Sequence, residues 1–107
     1  MGIANKVASG KLTAGLAALP ITLTTSCPQL NIDKLVFYNL HATQLLYINL
    51  NGATATATYT DHIVLSGTTG TSHTRILEFV RPYKGTVSVI ASGAATDLQW
   101  EAYFSAA

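Results

Sequence analysis

The chain carries little charge and almost no sulfur chemistry. Only 10% of its 107 residues are Asp, Glu, Lys or Arg, and Cys27 is the single cysteine. A lone cysteine excludes an internal disulfide framework and fits folding in a reducing compartment. Six cations against five acids do not supply the clustered positive charge that neutralises phosphates, so we expect no nucleic-acid partner.

Long hydrophobic runs are also missing. No segment reaches the roughly 18 apolar residues that a membrane-spanning helix needs. Residues 6–27 have the outline of a lipoprotein signal peptide, with two lysines, an apolar stretch and Cys27, but Thr13, Gly15 and Pro20 interrupt that stretch. We therefore expect neither a membrane partner nor a signal peptide.

Apolar and small uncharged residues fill most of the chain. Hydrophobic residues make up 49% of it, and Thr and Ala are abundant. Because Thr is β-branched, this composition favours strands over helices. A surface made of Thr, Ser, Asn, Gln and Gly with so few charges indicates a protein that lies against a partner.

Short apolar segments recur about every ten residues, separated by turn-forming residues such as Asn51-Gly52. This spacing predicts an all-β fold: a single antiparallel β-sandwich or small jelly roll of seven to eight strands over residues 1–107. The predicted strands cover residues 6–13, 19–25, 34–40, 45–50, 62–66, 73–80, 86–91 and 97–104.

Two segments are less regular. Residues 53–60 alternate Ala and Thr before Tyr59, which predicts an exposed edge strand or an extended loop, and residues 81–85 read as a turn. The row of threonines has the spacing of ice-binding surfaces, but one row is not an array, so a plain edge is favoured.

Alternation along the other strands places Phe37, Phe79 and Trp100 in the core.

Residues that carry catalytic or metal chemistry are scattered. His41, His62 and His73 lie far apart with no Cys or His two places away, and no Gly-x-Ser-x-Gly pattern is present. The five acids form no particular pair of the kind that glycosidases use. We predict that the protein is not an enzyme and uses no cofactor, metal or small-molecule substrate.

Segments 34–43 and 46–52 resemble a small β-sandwich protein found in the virions of tailed bacteriophages. The turn at 15–17 and the last two strands extend the resemblance over residues 5 to 104. Asn49 departs from that group, which often has Gly at this place.

The resemblance implies a capsid decoration or cement protein. Such a protein is made in the host cytoplasm, binds the major capsid protein on the outer surface of the virion and is often a homo-oligomer. Residues 1–11 would then form an N-terminal arm that pairs with a neighbour by strand addition. The candidate interface residues are Lys6, Val7, Lys11, Tyr38, Tyr59, Arg81, Tyr83 and Lys84.

Two alternatives remain open from the sequence. The sandwich could instead be a carbohydrate- or receptor-binding module that uses Tyr59, Tyr83 or Trp100 as stacking platforms. It could also be a structural protein of the phage tail or connector, which differs from a decoration protein only in its location on the virion.

Overall fold

A computed structural model of the chain describes residues 4–22, 32–50, 63–83 and 86–105. Within these ranges all regular structure is β-strand, as predicted. The strands are β1 (Ala4–Ala14), β2 (Leu19–Thr22), β3 (Ile32–Asn39), β4 (Leu46–Asn49), β5 (Ile63–Leu65), β6 (Thr74–Tyr83), β7 (Thr86–Ala91) and β8 (Thr96–Ser105). No helix in these ranges is long and apolar enough to cross a membrane.

The strands form two four-stranded antiparallel sheets, which confirms the predicted all-β sandwich. The first sheet has the order β1-β8-β3-β6 and the second has the order β2-β7-β4-β5. In the first sheet Leu12 lies opposite Leu98, and Phe37 lies opposite Trp100. Because side chains alternate between the two faces of a strand, these pairs place one apolar face of the sheet toward the other sheet.

Side chains from both sheets meet in one core. Phe37 and Trp100 are buried as predicted, and Phe79 packs against the core while partly exposed. Trp100 is only 7% exposed, so its predicted alternative use as a stacking platform for sugars is wrong. The buried core residues are Ala14, Ile21, Ile32, Leu35, Phe37, Leu46, Ile48, Leu65, Val87, Val89, Ala91, Leu98, Trp100 and Ala102.

The end of β6 differs from its prediction. The strand continues through residues 81–83, which were predicted as the start of a turn, because Tyr83 pairs with Ile32 beyond an irregularity in β3. Pro82 is tolerated there because β6 is the last strand in the order of its sheet. The Ala-Thr segment at 53–60 lies outside the described residues.

The predicted N-terminal arm falls partly within the described ranges. Residues 4–11 belong to β1 and pair with β8, with a register shift between Lys6 and Ala8. β1 is the first strand in the order of its sheet, so these residues lie along a sheet edge.

Gly10 lies directly opposite Trp100, and a Cβ atom there would approach the indole Nε1 to 2.8 Å. We expect Gly10→Ala to lower the free energy of unfolding by about 1–2 kcal/mol, since the buried ring must move. Trp100 is the only tryptophan, so its fluorescence reports both its displacement and the denaturant-induced unfolding. Ser9→Ala, on the exposed face, is the control; an equal loss in both variants would contradict the packing argument.

Candidate functional site

Four loops meet at one end of the sandwich, and we call them together the loop end. They are residues 15–18, 40–45, 66–73 and 92–95, each following a strand that finishes at this end. Backbone hydrogen bonds join them: Ala91 N donates to Gly15 O at 2.9 Å, and Thr68 N donates to His41 O at 2.9 Å. The loop end is therefore one connected structure and not four separate turns.

Asn39, the last residue of β3, holds two of these loops together. Its side chain is 1% exposed, and its Nδ2 donates to the carbonyl oxygens of Gln44 at 2.8 Å and Ser66 at 2.9 Å. Its Oδ1 accepts from the backbone N–H of His41 at 3.0 Å. A buried amide that satisfies groups on both loops fixes their separation, since leaving those groups unpaired would be costly.

His41 stabilises the loop at 40–45 through its ring. The Nδ1 atom accepts from the backbone N–H groups of Thr43 at 3.1 Å and Gln44 at 3.0 Å. An accepting Nδ1 requires the neutral tautomer with its proton on Nε2. The imidazole thus acts here as a turn-forming acceptor.

Within the described ranges no group of three or more His, Cys, Asp or Glu residues could hold a metal ion.

The loop at 92–95 is tied to the same centre. Leu45 N donates to Ser92 Oγ at 2.9 Å, and Ser92 N donates back to Leu45 O at 3.0 Å. The fully buried Thr96 donates to Gly93 O at 3.0 Å and contacts the side-chain amide of Gln44. These bonds complete the connection between the loops of the two sheets.

The outer surface of the loop end is uncharged and partly apolar. The four loops contain no Asp, Glu, Lys or Arg. Leu16 is 72% exposed and Leu40 is 43% exposed. The loops that carry these two leucines, 15–18 and 40–45, both adjoin the start of β8, because Ala14 pairs with Thr96 and Leu40 N donates to Asp97 O. Around them lie exposed small residues: Ala17, Ala42, Thr43, Thr68, Thr69, Gly70, Thr71, Ser72, Ser92, Ala94 and Ala95.

A second ordered surface lies on the outer face of the first sheet, and we call it the tyrosine patch: Lys34, Tyr38, Gln99, Glu101 and Tyr103. Both tyrosine hydroxyls donate to Oε1 of Glu101, from Tyr38 at 3.1 Å and from Tyr103 at 2.8 Å. The ammonium group of Lys34 lies 4.4 Å from the centre of the Tyr103 ring. The patch joins β3 to β8 by side-chain contacts, in addition to the hydrogen bonds of the backbone.

The shared carboxylate changes the acidity of both phenols. Burial and the hydrogen bond to Glu101 raise the pKa of Tyr38, and the hydrogen bond followed by burial raises the pKa of Tyr103. A folded-state pKa above the unfolded value stabilises the fold below about pH 10. That contribution is lost as the pH rises through the folded-state pKa.

We expect Glu101→Gln to lower the pKa of Tyr103 toward its ordinary value, and that of Tyr38 by less, because burial is the larger cause there. Ultraviolet titration of phenolate absorbance measures both shifts, with Tyr38→Phe and Tyr103→Phe assigning them. An identical titration in Glu101→Gln would contradict the shared hydrogen bonds.

The structure describes six of the eight residues predicted as an interface, and they belong to three strands of the first sheet, β1, β3 and β6. Lys11 and Tyr38 flank Gln99 in one cross-strand row of the first sheet, about 10 Å apart. Lys6 and Val7 lie at the register shift of β1. Of the remaining four predicted residues, Arg81 and Tyr83 belong to β6. Tyr59 and Lys84 lie outside the described residues.

Sequence reasoning missed the loop end altogether. Leu16 lies in a predicted turn and Leu40 is the last residue of the predicted strand at 34–40, so no pattern marked either leucine as part of an exposed surface. The available signal was compositional, since the four segments that form the loop end contain no charged residue. Neither protein-family models nor curated proteins give a match to this chain.

Proposed function

We propose that this protein is a non-enzymatic structural protein of a bacteriophage virion, which binds the outer surface of the head as a decoration or cement protein. The phage assignment comes from the sequence resemblance over residues 5 to 104. The structural observation that supports a binding role is the loop end, which is uncharged, hydrogen-bonded throughout and exposes Leu16 and Leu40.

Exposed leucines on a fixed scaffold suit a protein interface. Large apolar side chains that protrude in a group mark binding surfaces on soluble domains. Loops already held by Asn39, His41 and Gln44 lose little conformational entropy when a partner binds, so more of the contact energy appears as affinity. Because the four loops contain no charged residue, binding through them should also depend little on salt.

In this proposal the partner of the loop end is the major capsid protein. Contacts with neighbouring capsomers bury additional area where the shell is weakest, which stabilises it without any catalysis. Residues 4–11 lie along a sheet edge, where another strand can be added. That edge is the proposed contact between copies in a homo-oligomer on the capsid surface.

Co-sedimentation with mature, undecorated capsids of the cognate phage tests the proposal. Saturable binding at a fixed ratio to the major capsid protein is expected, and binding should persist as salt is raised. Leu16→Ser and Leu40→Ser should each weaken binding about tenfold, because each removes roughly 1.5 kcal/mol or more of apolar burial.

Ile76→Ser is the matched control for these variants. Ile76 is also a large exposed apolar residue, at 58%, but it lies on the outer face of β6 away from the loop end. Its substitution should leave binding unchanged. Equal weakening by all three variants would contradict a specific role of the loop end. Absence of any capsid binding would instead favour a location in the tail or connector.

A further inference from the structure

The side chains of the tyrosine patch are linked to one another by hydrogen bonds. Exposed faces of sheets usually carry side chains that move independently, whereas here two phenols share one carboxylate oxygen. Val36 lies beneath them on the same face of β3, yet it is only 5% exposed. The longer side chains around Val36 therefore form a closed layer above the sheet.

The groups in this layer match the requirements of sugar recognition. Carbohydrate sites combine the flat face of an aromatic ring, which contacts the C–H groups of the sugar, with planar polar groups that bind its hydroxyls. Tyr38 supplies a partly buried aromatic side chain, and Gln99 pairs directly with it across the strands and is exposed. Glu101 supplies a carboxylate whose position is fixed by the two phenols.

We propose that the tyrosine patch binds a neutral saccharide with vicinal hydroxyl groups. The Tyr38 ring is the stacking platform, since one face of the Tyr103 ring is already occupied by the Lys34 ammonium. The Gln99 amide and the Glu101 carboxylate bind the sugar hydroxyls, and Tyr103 is a positioning residue for Glu101. Lys34 and Glu101 balance within the patch, and Lys11 and Glu78, which pair with Gln99 and Lys34 at its sides, balance as well, which favours neutral over anionic sugars.

This inference does not depend on the proposed capsid role. The patch lies on the outer face of the first sheet, whereas the capsid-binding surface is proposed at the loop end. The two surfaces share no residue, so each can fail independently. The patch also differs from the platforms expected from the sequence, because Trp100 is buried in the core.

Chemical-shift titration of the isotope-labelled full chain tests the proposal. The probes are the neutral disaccharides lactose, maltose, cellobiose and mannobiose, with sialyllactose as the anionic comparison. We expect at least one neutral sugar to shift the amide signals of Tyr38, Gln99 and Glu101 in a saturable manner at millimolar concentration. No saturable shift with any neutral sugar, or preferential binding of sialyllactose, would overturn the proposal.

Substitutions separate stacking from hydroxyl recognition. Tyr38→Ala should weaken binding at least tenfold, and Tyr38→Phe should retain most of it because the ring remains. Glu101→Gln should weaken binding about tenfold while thermal unfolding shows that the fold persists. The matched control is Thr74→Ala. Thr74 is exposed and pairs with Tyr38 from β6, on the opposite side of Tyr38 from Gln99. Binding that survives Tyr38→Ala would show that the ring is not the platform.

Discussion

Replacing Gly67 with alanine is expected to lower the free energy of unfolding by about 3 kcal/mol. A Cβ atom at Gly67 would lie only 2.5 Å from the carbonyl carbon of Ala42 and 2.6 Å from the Cα of Thr43, and it would overlap the Ala42 carbonyl oxygen. These are backbone atoms, so no side chain can rotate away. The loops at 40–45 and 66–73 must separate to admit the methyl group.

Urea unfolding measures this loss directly. Gly15→Ala is the matched control, because the nearest atom to its added Cβ is 4.0 Å away, the Cα of Ala94. That variant should be neutral or slightly stabilised, by about 0.5 kcal/mol, since alanine restricts the unfolded chain. If Gly67→Ala is as stable as Gly15→Ala, the two loops are not in close contact.

The same variant links stability to the proposed function. Separation of the loops shifts Leu40 relative to Leu16, because Leu40 belongs to one of the two loops that must move apart. We expect capsid binding by Gly67→Ala to weaken even at temperatures where the protein remains folded, whereas sugar binding at the tyrosine patch should change little. Loss of both activities together would indicate global unfolding.

Asn39→Ala is expected to be similarly damaging, with a loss of about 3 kcal/mol in the free energy of unfolding. The substitution leaves the carbonyl oxygens of Gln44 and Ser66 and the N–H of His41 without their buried partner. It also opens a cavity where a fully buried side chain had been. Thermal or denaturant unfolding gives the magnitude.

Asn39→Asp separates the lost hydrogen bonds from the cavity, because the two side chains have nearly the same shape. At neutral pH an aspartate would turn an oxygen toward the two carbonyls, so the loss should nearly equal that of alanine. The facing carbonyls favour the protonated acid, so its pKa is higher in the folded than in the unfolded state. Stability should therefore recover as the pH falls and be lost as it rises. A pH-independent loss would contradict these contacts.

The strands themselves were predictable because their signal is local. Along residues 86–91 and 97–104 apolar and polar side chains alternate with period two, and β7 and β8 were found there to within one residue at either end. Trp100 was assigned to the core on the same grounds. The end of β6 was not predictable, since Tyr83 remains in the strand through its pairing with Ile32, far away in the sequence.

The candidate surfaces depend on contacts between distant residues. Asn39 binds Ser66, 27 residues further along the chain, and Tyr38 binds Glu101, 63 residues away. The sequence placed Glu101 and Tyr103 on one face of a strand, but their approach to Tyr38 requires that β3 pairs with β8 in one register. Nothing in either segment alone specifies that partner.

By itself, the sequence determined the class of fold, the approximate positions of the strands, core residues such as Phe37 and Trp100, and the small number of charges. Each follows from composition or from alternation within a few residues, where the physics of burial acts on one strand at a time. Only the tertiary structure decided the order of strands in the two sheets, the meeting of four uncharged loops around Asn39 and the shared carboxylate of the tyrosine patch. These features depend on how the strands pair and pack around one core, which no local pattern encodes.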